Sequence, residues 1–310
     1  MNRSLFDFGD GIWMVDLMER GLSGRTGSYI LPGEKNAIIE TGGSLSLPQL
    51  TEGLKQAGLT PEQVDYMIVT HIHLDHAGGV GSLVRLCPRA QVVVHPRGAR
   101  HLADPSRLIA GSRAVYGDQL EELWGEVLPV PADRILAVEH GTSLDLGNRE
   151  LTFYHTPGHA KHHVSIFDSL GRGVFTGDTT GIRYHEELTG LEQDYILPTT
   201  TPTDFDPKAL HESVALLRSL NPVKVYHGHF GVSTDVERVF GETERLVDAF
   251  AKLTEEVYRP DLTLHEMAEH LKCFVLDDMK RTVGLPRDAS FLNDDMSLNA
   301  MGLLHWIGHR

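Results

Sequence analysis

The stretch Thr70-His71-Ile72-His73-Leu74-Asp75-His76-Ala77-Gly78-Gly79 places four potential metal ligands within six residues, directly after an apolar run over 66–69. In an extended segment side chains alternate between faces, so His71 and His73 are expected to project from one side, while Asp75 and His76 fall where a helix can begin. One strand end can thereby address two neighbouring metal ions. Eighteen histidines in 310 residues will sometimes cluster on a surface. Ligands this close together at the end of an apolar strand are hard to explain without a metal.

Around that motif the chain alternates between β and α signals. Residues 12–17, 28–31 and 37–39 read as short strands joined by glycine-rich turns. Leu50, Leu54 and Gln56 lie near helical spacing over 48–57, and 66–70 reads as a strand, so a β-α-β crossover delivers the histidine motif. A helix over 80–86 and a strand over 90–95, with Val92, Val93 and Val94, repeat the alternation. Residues 96–140 loosen into short, partly helical pieces broken by Pro105, Gly111, Gly117, Pro129 and Pro131, the pattern of an inserted lid or contact segment. Strands resume at 143–146, 151–154, 163–167 and 173–176. Asp206-Pro207 caps a helix with Leu210, Val214 and Leu217 on one face, and the strand over 223–226 that follows ends in His227-Gly228-His229.

After Gly231 the character changes to helix. Val236, Val239, Phe240, Leu246, Val247, Phe250 and Leu253 form an apolar stripe, and Thr263 with Glu266 makes a capping box. Residues 291–307, rich in Leu and Met, read as a helix packed on the body or on a twin subunit, the latter making a homodimer. The expected organisation is one domain over 1–232, containing the 96–140 insertion, and an α-helical C-terminal region over 233–310.

Charge and cysteine content bear on partners and compartment. With 43 acidic against 28 basic residues, a net charge of −15 repels polyanions, so neither nucleic acid nor an anionic membrane is expected as partner. A small-molecule substrate is. The only cysteines, Cys87 and Cys273, stand apart from each other and from any C-x-x-C spacing, which excludes a disulfide framework and fits a reducing cytoplasm. The first ten residues carry no apolar signal core, and no run of eighteen apolar residues occurs, so neither secretion nor membrane spanning is expected.

Three later sites extend the ligand set: Thr156-Pro157-Gly158-His159, Phe175-Thr176-Gly177-Asp178 and His227-Gly228-His229-Phe230-Gly231, each a ligand beside glycine at the end of an apolar strand. Together with the first motif they match, position for position, the seven-ligand pattern of the metallo-β-lactamase superfamily. The chain resembles that family over about residues 11–231. The resemblance implies an α/β fold, a four-layer αβ/βα metallo-β-lactamase sandwich, here with an α-helical C-terminal extension. It implies His71, His73 and His159 as ligands of one metal, Asp75, His76 and His229 as ligands of the other, and Asp178 as the bridging carboxylate. Period-two alternation turns His227 away from the metals, and His162 and His163 are expected in outer or surface positions.

Five imidazoles with two carboxylates suit zinc first, with iron or manganese in reserve, better than magnesium or calcium. The implied activity is that of a binuclear metal-dependent hydrolase. A metal-bound hydroxide attacks an ester, thioester or lactone whose carbonyl is polarised by the second metal, as in glyoxalase II and the acyl-homoserine lactonases. No G-x-S-x-G elbow occurs and neither cysteine has an activated setting, which disfavours a side-chain nucleophile. Asp75 and Asp178 are the catalytic carboxylates of this reading. Tyr184, on the loop after Asp178, corresponds loosely to a tyrosine that lactonase relatives place near the substrate, and is expected to help activate the carbonyl. The alternative is an iron-dependent oxidoreductase of the same fold, resembling persulfide dioxygenases. One departure stands out: many family members have Asp before Thr-Gly at this point, and this chain, after the strand over 37–39, has Glu40-Thr41-Gly42.

Overall fold

The computed structural model describes residues 4–310, so the part of the N-terminal reading that falls on 1–3 lies outside the described residues. They divide into two compact units, the first holding the chain through His155 with His162–Gly177 and Pro222–Thr234. In this unit β1 (Leu5–Asp7), β2 (Trp13–Asp16), β3 (Gly27–Leu31), β4 (Asn36–Ile39), β5 (Val64–Ile68), β6 (Gln91–Val94) and β7 (Ile135–Ala137) form one sheet in that order. Strands β1 to β4 are antiparallel neighbours and β4 to β7 run parallel. Parallel neighbours require crossovers. They are supplied by α1 (Leu47–Gln56), by α2 (Leu74–Ala77) with α3 (Val80–Leu86), and by α4 (Pro96–Ala103), α5 (Ser106–Tyr116) and α6 (Leu120–Trp124).

The second sheet of this unit uses β8 (Ser143–Asp145), β9 (Glu150–His155), β10 (Val164–Asp168) and β11 (Gly173–Gly177). The hairpin of β12 (Ile182–Tyr184) and β13 (Tyr195–Leu197) stands outside it, and β14 (Lys224–His227) and β15 (Val232–Ser233) complete the order β15-β14-β11-β10-β9-β8. Period-two alternation splits the central strands of the first sheet between two cores. Ile38, Met67, Val92 and Val94 join Leu50, Leu54, Leu83 and Leu102 beneath the helices. Ala37, Ile39, Ile68 and Val93 face Phe153, Val164, Ile166, Phe175 and Tyr226 of the second sheet. The unit is therefore layered helix, sheet, sheet, with mixed rather than purely parallel strands.

The segment over 96–140 is partly frame rather than a loose lid. Leu102 of α4 is buried in the helix-side core, and β7 pairs in parallel with β6. Its prolines and glycines mark breaks between short helices; only α5, which buries no residue, keeps the surface character expected of an insertion.

The second unit comprises Thr156–Lys161, Asp178–Asn221 and Asp235–Arg310. It holds β12 and β13, α7 (Glu186–Thr189), α8 (Pro207–Ser219), α9 (Val236–Val257), α10 (Leu264–Thr282) and α11 (Leu292–Gly308). The helical region beginning after 232 is present, but packing also draws 156–161 and 178–221 into it, which a linear boundary does not capture. Asp206 caps α8 by accepting from Ala209 N at 3.1 Å, and Thr263 with Glu266 forms the capping box of α10. The apolar stripe of α9 buries Val239, Phe240, Leu246, Val247 and Phe250. Among the described residues, no helix is long and apolar enough to cross a membrane.

Candidate metal centre

In the first unit the chain leaves β5 through Val69 and Thr70 into the histidine motif. Ile72 points into the helix-side core and is 3% exposed. Alternation therefore turns His71 and His73 to the same side, with ring centroids 4.5 Å apart. His73 is the extended residue before α2, whose single turn carries Asp75 and His76. The Asp75 Oδ2 atom lies 3.4 Å from His76 Nε2 and 3.5 Å from His229 Nε2. One ligand atom from each of Asp75, His76 and His229 lies within 4.8 Å of the others. A carboxylate and two imidazoles at that spacing make a donor group of the size a transition-metal ion takes.

Glu40, the residue after β4, supports this group from behind. It adopts a left-handed conformation with φ 67°, while Thr41 N donates to His76 O at 2.8 Å and Gly79 N to Gly42 O at 2.7 Å. The Glu40 carboxylate accepts from the Thr70 hydroxyl and, at 3.4 Å, from Thr70 N, and it sits 3.3 Å from His76 Nδ1. Because the single Thr70 hydroxyl proton goes to Glu40, the 3.0 Å contact between Thr70 Oγ1 and His71 Nδ1 places the imidazole proton on Nδ1. That makes Nε2 the ring atom of His71 that a metal ion would meet.

The core positions His229 and separates it from His227. The Tyr29 hydroxyl lies 2.6 Å from the His227 carbonyl oxygen and 2.8 Å from that of Gly231, closing the turn after β14. The Tyr29 ring is held by Phe175 and Tyr226 at centroid distances of 5.1 and 5.6 Å. The His227 ring is buried on the other side, its Nε2 2.9 Å from Ser233 Oγ, whereas His229 joins Asp75 and His76. His163 is buried and stacked on His71 at 4.9 Å, and His162 lies 5.7 Å from His73 between ring centroids. Both stand around the rings of His71 and His73. His95, at the end of β6, accepts at Nδ1 from Arg97 N at 3.2 Å and stacks on His155 at 4.6 Å, so it caps α4.

The second unit carries His159, on the connection after β9, and Asp178, the residue after β11. His159 Nε2 is 3.4 Å from Asp178 Oδ2. His159 Nδ1 lies 2.9 Å from the Thr199 hydroxyl and 3.2 Å from the Thr199 carbonyl oxygen. A carbonyl oxygen can only accept, so the proton belongs on Nδ1, and Nε2, facing the carboxylate, is the ring atom that a metal ion would meet. Gly158, at φ 132°, brings this connection against α8: a side chain there would meet Leu210 backbone at 2.5 Å. Tyr184, expected to help activate the substrate carbonyl, is 1% exposed; its ring packs on Phe291 at 4.7 Å, and its hydroxyl donates to the Asp295 carboxylate on α11.

Residues 24–229 match the family model described as the Metallo-beta-lactamase superfamily. The chain belongs to the metallo-β-lactamase superfamily. The metallo-beta-lactamase fold-containing protein ST1585 of Sulfurisphaera tokodaii is 28% identical over 208 residues, covering 66% of this chain and 72% of that protein. The acyl-coenzyme A thioesterase MBLAC2 of Homo sapiens is 28% identical over 197 residues, 55% of this chain and 63% of the thioesterase. Among solved structures, the metallo-beta-lactamase family protein TTHA1429 from Thermus thermophilus aligns with a TM-score of 0.70 at 18% identity, over 98% of this chain and 95% of that one. That likeness shows the fold: the α/β sandwich of the metallo-β-lactamase superfamily, with an α-helical C-terminal extension.

For a member of this superfamily, the sequence reading named candidate ligands but missed the groups that hold them in place. Thr70 precedes His71 and was visible as a hydroxyl beside a ligand. Thr199 lies 40 residues from His159, and no local pattern connects them.

Proposed function

We propose that the chain is a binuclear metal-dependent hydrolase acting on an ester, thioester or lactone bond. The observation that carries this is the donor group Asp75, His76 and His229, with the ligand nitrogens of His71 and His159 selected by hydrogen bonds to their other ring nitrogens. In this reading His71, His73 and His159 would hold one ion, Asp75, His76 and His229 would hold the second, and Asp178 would serve both. Neutral imidazoles outnumber carboxylates, which favours zinc over a hard cation such as magnesium. When bound, such ions supply an activated water and a Lewis acid for the carbonyl. The chain's own contribution is to fix tautomers through Thr70 and Thr199 and to set the Asp75 and Asp178 carboxylates beside the imidazoles. The relative named an acyl-coenzyme A thioesterase supports a thioester as the first substrate class to try, for a chain that spans 63% of that protein's length.

The test is metal content on protein purified without added metal, beside turnover of a thioester, a lactone and a phosphoester before and after chelation. Expected are two equivalents per chain, dominated by zinc, and carbonyl-ester or thioester hydrolysis that chelation abolishes and zinc restores. Bound iron with oxygen uptake on a persulfide, and no hydrolysis, would overturn the reading in favour of a dioxygenase.

A further inference from the structure

The last helix, α11, carries two buried polar side chains one turn apart, Asp295 and Asn299, in a segment otherwise rich in leucine and methionine. A buried amide needs partners. Asn299 finds them on either side of Thr199: its Oδ1 accepts from Thr200 N at 2.6 Å and lies 3.0 Å from the Thr200 hydroxyl, while its Nδ2 donates to Pro198 O at 3.1 Å. The Asn299 carbonyl also accepts from the Thr200 hydroxyl at 2.8 Å. The side-chain amide thus clamps the backbone on both sides of Thr199. Three residues further along, Gly302 lies against the same backbone, where a Cβ would stand 2.6 Å from the Thr200 carbonyl carbon.

What the clamp holds is the cradle of His159. Thr199 meets His159 Nδ1 through both its hydroxyl and its carbonyl oxygen, and its hydroxyl lies 3.3 Å from Asp178 O. The hydroxyl of Thr201 donates to the His159 carbonyl oxygen. A helix that merely covered an apolar surface would need a leucine at position 299, not an amide matched to one donor and one acceptor two residues apart.

We propose that Asn299 is a positioning residue for His159: by fixing Pro198 and Thr200 it holds Thr199 where it keeps the imidazole proton on Nδ1 and Nε2 directed at a metal. The inference rests on the reading of His159 as a ligand, and the experiment separates the two. Asn299→Ala, Gly302→Ala and His159→Ala are titrated with cobalt(II), whose visible absorption reports ligand geometry, and with zinc against a competing chelator. Thermal unfolding of each metal-free protein is recorded alongside. His159→Ala is expected to lose one equivalent. Asn299→Ala is expected to bind one equivalent about 10- to 100-fold more weakly, with altered cobalt absorption for that equivalent alone. Gly302→Ala leaves the amide intact but puts a methyl into Thr200, and shifts the same equivalent in the same direction. Wild-type affinity and absorption in Asn299→Ala and Gly302→Ala, with only the melting temperature lowered, would overturn the clamp while His159 remained a ligand. Full wild-type binding by His159→Ala would overturn the ligand reading and the clamp with it. If Asn299→Ala yields no folded protein, the Gly302→Ala titration decides alone.

Discussion

Replacing Glu40 by Gln tests the support behind the histidine motif. The carboxylate is 1% exposed and serves three groups: the Thr70 hydroxyl, Thr70 N at 3.4 Å and His76 Nδ1 at 3.3 Å. A glutamine of the same shape keeps one acceptor oxygen but turns an NH2 toward a donor, so one buried donor faces another. Leaving a buried donor unsatisfied costs about 1–3 kcal/mol, which should appear as a lower unfolding free energy of the metal-free protein in urea. With His76 as the proposed metal ligand, losing its outer carboxylate should separately weaken metal affinity by about 10- to 100-fold. That is about 1.4–2.8 kcal/mol. Glu40→Asp, the residue common elsewhere in the family, withdraws the carboxylate by about one carbon–carbon bond, about 1.5 Å. The contact with Thr70 N would open to roughly 5 Å, beyond hydrogen-bond range. Both variants should therefore lose metal affinity by chelator competition, aspartate included, because the left-handed backbone at position 40 fixes where the shorter side chain starts. Wild-type affinity and an unchanged urea midpoint in Glu40→Gln would refute the argument.

Tyr184→Phe removes the donor to Asp295, a carboxylate only 5% exposed, and should cost about 1–3 kcal/mol of stability while turnover stays within about tenfold. A hundredfold fall in kcat at unchanged stability would instead return the hydroxyl to the substrate. For His95, burial, helped by His155 and Arg97, pushes the imidazole pKa from its ordinary 6.5 down to about 4. The unfolded chain therefore takes up this proton first, so the stability it supports is complete above about pH 6.5 and is lost as pH falls toward 4. His95→Asn keeps an acceptor for the start of α4 and should flatten the fall in unfolding free energy of the metal-free protein between those pH values; an identical slope would refute it.

The ligand motif could be read from the chain because each of its parts is local. The alternation that buries Ile72 between His71 and His73, and the glycines beside His159, Asp178 and His229, are properties of a few consecutive residues. The strands over 28–31, 37–39 and 173–176 were visible as short runs bounded by turn residues, and the structure buries them on both faces. Not every short element was visible in this way. The three-residue strands β7, β12 and β13 gain their hydrogen bonds from neighbours, β6 for the first and each other for the second pair.

The amino-acid sequence by itself pointed to the family and to the candidate ligands, His229 rather than His227 among them, because alternation and motif spacing are fixed by covalent geometry. Only the tertiary structure decided what stands behind the ligands. Glu40 reaches Thr70 across 30 residues, and Asn299 reaches Thr200 across 99. It likewise set the Tyr184 hydroxyl against Asp295, 111 residues away. A polar side chain's partner depends on which donor or acceptor is brought within about 3 Å of it when the core closes, and that distance is set by the packing of whole elements rather than by the residues on either side.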